Sequence, residues 1–145
     1  MIQSNRYRKI LSLSVALLLC LSFVTIARAN INFFVNVMRN LQHYRVSGEL
    51  VSMDLEGTGT GNLTFNLTLP SRRNNTEEVI MLGYLSTGYA IQRTGLKVNT
   101  INVTAVIPSA GNQMVATTTN AALLARVISE EIDPHRFLGE IEWIR

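Results

Sequence analysis

Cysteine is nearly missing from this chain: a single one, Cys20, occurs in 145 residues. It lies inside an apolar N-terminal run, so everything after that run is free of thiols. A disulfide-stapled scaffold and a cysteine nucleophile are both excluded there. A lipoprotein signal is disfavoured as well, because the large Leu19 precedes the cysteine where a small residue is wanted. Histidine is scarce, with two in the whole chain, His43 and His135. Neither shows the spacing of a zinc site, which pairs His, Cys or acidic ligands three or four positions apart on a helix. Asp133 and His135 are only two apart, at a predicted helix start. Charge is sparse, at 16% of residues.

The basic residues are also unevenly placed. Arg6, Arg8, Lys9 and Arg28 lie in the first 29 residues, and no acidic residue does. Residues 30–145 then hold nine basic and ten acidic residues, a formal charge of −1. The positive balance of the full chain therefore marks topology. It gives no compositional support for a basic groove, and nucleic acid is not an expected partner.

The N-terminus has the order of a secretory export signal: the basic head Arg6, Arg8 and Lys9, an uncharged apolar run from Ile10, then the small residues of Ala27-Arg28-Ala29. The run 10–27 is long for a cleaved signal core and short for a spanning helix, which needs roughly 20 apolar residues. Two outcomes stay open: removal after Ala29, or retention as a single-pass anchor with a cytoplasmic N-terminus. Both predict an extracytoplasmic domain over residues 30–145, membrane-anchored or secreted.

Within that domain, Ile31, Phe34, Val35, Met38 and Leu41 fall at helical spacings. They predict a helix covering the core or continuing an uncleaved anchor. Val46–Leu55 reads as a strand, and Glu56–Gly61 as a flexible turn. Asn62–Leu69 alternates cleanly: Leu63, Phe65, Leu67 and Leu69 point one way, Asn62, Thr64, Asn66 and Thr68 the other. Asn75 and Glu78 resemble a capping box opening a helix over Thr76–Arg93. That helix should bury Val79, Ile80, Leu82, Leu85, Tyr89 and Ile91, with Gly95 as its stop. A second strand pair follows over Thr100–Ile107 and Gln113–Thr118. Asn120 caps a helix, and Asp133-Pro134 starts a short last one carrying Phe137, Leu138, Ile141 and Trp143 onto the domain. The expected class is α+β: an N-terminal signal or anchor helix, then ββαββα order. The sheet should be four-stranded and mainly antiparallel, with helices on one face.

Chemistry is hard to find. The turn Gly57-Thr58-Gly59-Thr60-Gly61 lacks the lysine and the following helix of a phosphate loop. Glu77/Glu78 complement the positive end of a helix dipole. Glu130/Glu131 are at the opposite end of theirs, and adjacent helical residues do not form a catalytic dyad. No metal site or cofactor is expected. Four Asn-x-Thr triplets begin at Asn62, Asn66, Asn74 and Asn102; Asn74, in a loop, is the accessible glycosylation candidate. An apolar helix feeding an α+β head is also the architecture of pilin-like proteins. The short leader ending in glycine and the acidic residue five positions into the apolar run are both lacking.

The reading that follows is a non-enzymatic binding or accessory module of the cell envelope. Its partner would be a protein of the envelope, met on the polar sheet face of Asn62, Thr64, Asn66 and Thr68. The alternatives are a small extracytoplasmic enzyme using His43, His135 or the acids, and a self-assembling surface subunit.

Overall fold

The computed structural model describes residues 2–46, 50–58 and 61–144, with the backbone alone at 2–11, 13, 20–27 and 58. The chain divides into two units, residues 1–32 and 33–145. The first is helical: α1 runs Ile2–His43, and its residues up to Asn32 make up that unit. Among the described residues no helix is long and apolar enough to cross a membrane. The apolar run 10–27 lies mostly outside the side chains described.

In the second unit the elements are the end of α1, β1 (Ser52–Thr58), β2 (Asn62–Pro70), α2 (Thr76–Thr94), β3 (Thr100–Ile107), β4 (Gln113–Asn120), α3 (Ala121–Ile128), α4 (Pro134–Glu140) and β5 (Glu142–Ile144). The sheet order is β1-β2-β3-β4-β5. The class is α+β, but the expected four-stranded antiparallel sheet is corrected to five strands with one parallel pair. β2 and β3 run parallel, from Thr64 opposite Thr100 to Pro70 opposite Val106, while the other pairs are antiparallel. A parallel neighbour requires a crossover, and α2 is that crossover. The fifth strand is the segment read as a helical tail. Its three residues pair with Ala116, Thr117 and Thr118 along an edge of β4 that would otherwise be bare.

β1 also sits later than expected. Glu56, Gly57 and Thr58, assigned to a flexible turn, belong to the strand and pair with Thr64, Leu63 and Asn62. The residues expected to start it, Val46 and Val51, lie outside any strand, and 47–49 fall outside the described residues. Gly61, with φ +82, closes the hairpin in a conformation that glycine adopts freely.

The core lies between the sheet and the helices. The alternation in β2 and β3 buries Phe65, Leu67 and Leu69 beside Ile101, Val103 and Ala105. Onto them the end of α1 lays Phe33, Val37 and Leu41, each fully buried. Their four-residue spacing puts them on one helical stripe. Phe33 meets Phe65 edge-on, with ring centroids 4.9 Å apart. Each such side chain contributes about 1.5–3 kcal/mol by leaving water.

α2 departs from its predicted face. Val79 and Ile80 are buried, but Leu82, Leu85 and Ile91 are half-buried and Tyr89 is exposed. The deepest positions instead include Gly83, Tyr84, Ser86, Thr87, Gly88 and Ala90. The reason is closeness of approach. A Cβ on Gly83 would lie 2.9 Å from both Leu69 Cδ1 and Val103 Cγ1, and one on Gly88 would lie 2.6 Å from Ile128 Cγ1. Small residues let the helix sit down on the sheet and on α3, where a pattern of large apolar residues would not.

The expected capping box does not form. Asn75 Oδ1 accepts from the backbone N–H of Arg72 at 2.8 Å, and Asn75 makes no side-chain cap on α2. The other boundary signals act as read. Gly95, at φ +69, donates its N–H to Ile91 O, Asn120 Oδ1 accepts from Leu123 N–H, and Asp133 Oδ1 accepts from His135 N–H. α3 ends at Ile128, short of the buried Ile132.

Candidate functional site

Among the described residues of the second unit, the buried apolar side chains of β2 and β3 all lie on the face that meets the helices, and the residues alternating with them on the other face are half-buried or exposed. The register sets out that face in rows. The central row is Asp54, Asn66, Asn102, Thr118 and Glu142, one residue from each strand. Beside it run Ser52, Thr68, Thr104, Ala116 and Ile144, and on the other side Glu56, Thr64, Thr100 and Asn120. Adjacent strands are about 4.8 Å apart, so hydroxyls and amides repeat at that interval across the sheet. Asn102 Nδ2 donates to Asn66 Oδ1 at 2.8 Å, tying two parallel strands together through their side chains. Among the described residues, this face has no Lys, no Arg and no aromatic ring.

The structure thus brings Thr64, Asn66 and Thr68 onto one surface, with Asn62 exposed at its hairpin end. Asn66 is half-buried and engaged with Asn102. Three of the four Asn-x-Thr triplets are the period-two pattern of this face, in β2 and β3. Asn74 is apart from them, exposed in the turn before α2.

A second feature leaves no local pattern in the chain, because its parts are distant from one another. A cleft of about 860 Å³ opens between the first turn of α2, the start of β4, and α4 with β5. Met81, Leu82, Ile107, Val115 and Leu138 supply its apolar lining. Arg73, Glu77, Glu78, Gln113 and His135 supply the polar one. Trp143 also lines it, its Nε1–H donating to Leu138 O at 3.1 Å. The cleft therefore gathers His135 and the Glu77/Glu78 pair; Asn74 borders it too.

The remaining candidates stand apart from that cleft. His43 packs edge-on against the ring of Tyr44, with centroids 5.5 Å apart. Glu131 pairs with Arg126 at 3.5 Å on an exposed surface, and Glu130 holds a left-handed turn at φ +63. Gly57 and Thr58 are strand residues, and Gly59 and Thr60 lie outside the described residues. Among the described residues no group of three or more His, Cys, Asp or Glu could hold a metal ion.

Among the described residues the one strongly perturbed ionisable group is structural. Tyr84 is fully buried between the sheet and α4, its ring edge-on to Phe137 at 5.2 Å. Burial pushes its phenol up to about 12. Comparison of the chain with known protein families, curated proteins and solved structures finds no match.

Proposed function

We propose that this chain is an exported extracytoplasmic domain acting as a non-enzymatic binding or accessory module of the cell envelope. The basic head and apolar run 10–27 direct it to the membrane, where it is either released after Ala29 or held as a single-pass anchor. The observation that carries the binding role is the bare sheet face. Among the described residues one side of the five-stranded sheet packs against the helices, and the other is mostly Thr and Asn, with acids on the two outer strands and Val106, Met114, Ala116 and Ile144 toward one end. Such a surface suits a flat polar partner, with specificity coming from many weak hydrogen bonds. A protein of the envelope fits that description.

Site-specific photo-cross-linking in the native host tests this. A photoreactive residue at Thr104 or Thr118, on the open face, is expected to yield a discrete protein adduct. One at Gln92, on the exposed side of α2, is not. Equal adducts from all three positions, or none from the open face, would defeat the reading. The intact mass of the same protein decides its attachment: a product beginning at Asn30 means release, and a full-length one in the membrane fraction means an anchor.

A second reading has one specific observation in its favour. His135 and the Glu77/Glu78 pair line a single cleft, and a small acid–base enzyme would draw its groups from such a shared cleft. All three side chains are exposed, so the cleft does little to exclude water from them.

A further inference from the structure

The two edges of the sheet are built differently. β5 ends it with three residues, and a very short edge strand is a common way to discourage further pairing. β1 ends it with seven consecutive residues, Ser52 to Thr58, each matched one-to-one with β2 from Thr68 to Asn62. That register contains no bulge, and the strand contains neither proline nor lysine, so most of the devices that blunt an edge are absent. Among the described residues β1 pairs with β2 alone, and there alternate residues present N–H and C=O groups on its far side to no other strand.

The side chains alternate in chemistry as well. Met53 and Leu55 face the core side and are half-buried at its margin, while Ser52, Asp54 and Glu56 are exposed on the open face. A second copy pairing antiparallel about Leu55 would set Asp54 of each chain against Glu56 of the other. Like charges directly opposite across a ladder are destabilising. The edge is thus open to strand addition and selective against itself.

We infer that β1 accepts an extended strand from a partner protein, with basic residues opposite Asp54 and Glu56 and apolar residues opposite Met53 and Leu55. Main-chain hydrogen bonds would hold the strand, and the alternating side chains would select it. The added apolar residues would extend the core margin at Met53 and Leu55, and the added basic ones would meet the only charges on this strand. The inference rests on the binding-module reading, but it concerns the sheet edge and not the open face.

The test uses the full chain in a non-ionic detergent and a fluorescent seven-residue peptide alternating valine and lysine. Saturable binding is expected, weaker by roughly ten-fold when glutamate replaces lysine, because two facing charge pairs turn from attractive to repulsive. The D54K/E56K double variant, changed only at exposed positions, should reverse that preference. N-methylation of the peptide amides that face β1 keeps its charge and removes its ladder bonds, and it should abolish binding. Equal binding of the N-methylated peptide, or of a scrambled one, would reduce the effect to charge adhesion and overturn the proposal, as would no binding at all. Cross-links from Thr104 and Thr118 would survive that failure, so the two readings fail separately.

Discussion

The buried Tyr84 makes the fold's stability depend on alkaline pH in a way that one substitution removes. Thr117 Oγ1 lies 2.8 Å from Val103 O, and a hydroxyl has one hydrogen, so Thr117 donates to that carbonyl. Tyr84 must then donate to Thr117 Oγ1 across their 2.9 Å contact. Ionising the phenol in place would bury a charge and remove that donor. Its folded value near 12 lies above the ordinary 10.0 of an unfolded tyrosine. The folded state therefore keeps a proton that the unfolded chain gives up. Stability from this group is fully present below pH 10, falls by about 1.4 kcal/mol per pH unit as pH rises toward 12, and is then lost by about 3 kcal/mol. Tyr84→Phe removes the titration and one hydrogen bond, costing about 0.5–1.5 kcal/mol at neutral pH while leaving no donor orphaned. Wild type should thus be the more stable protein at pH 7 and the less stable one at pH 12, with the two curves crossing near pH 11. Urea unfolding of both proteins across pH 7 to 12, followed by near-ultraviolet circular dichroism, measures the difference and cancels the alkaline effects they share. Parallel curves with no crossing would refute the argument, and a phenol titrating early in the folded wild type would do the same.

Three further substitutions test other parts of the fold by the same urea assay. Gly83→Ala should destabilise by about 1–2 kcal/mol despite the better helix propensity of alanine, because its Cβ meets Leu69 and the stiff Val103 at 2.9 Å; a more stable variant would mean that α2 can lift without loss. Phe33→Ala should cost about 3–5 kcal/mol by opening a cavity against Phe65, and a loss under 1 kcal/mol would remove the end of α1 from the core. Asn120→Ala should cost about 1 kcal/mol through loss of the cap on Leu123 N–H, measured against an exposed control such as Arg136→Ala, which should stay within about 0.5 kcal/mol.

What could be read from the sequence was whatever depends on neighbours in the chain. The alternation of β2 and β3 assigned both faces of the sheet, and Asn120, Asp133 and Gly95 act as helix boundaries because a cap is a bond made within a few residues. Three of the misses share a cause: each depends on a contact between segments far apart in sequence. Trp143 and its neighbours form a strand only because β4 offers them an edge, whereas alone Phe137, Leu138 and Ile141 mimic a helical period. Gly83 and Gly88 are points of close approach of α2, and that can be known only once Leu69, Val103 and Ile128 are opposite them. The parallel pairing of β2 with β3 has the same origin, since ββαββα order is compatible with either direction until α2 is seen to cross over. This explains why the two candidate sites differed in legibility. The open face is the wet half of an alternation, so Asn62, Thr64, Asn66 and Thr68 announce it locally. The cleft is assembled from five elements, and His135 could not be joined to Glu77 and Glu78 until β4 and β5 had set α4 beside the first turn of α2. The polar face and the regular edge of β1 seen among the described residues are properties of the assembled sheet, and the proposed binding role and the proposed strand-adding partner both depend on them.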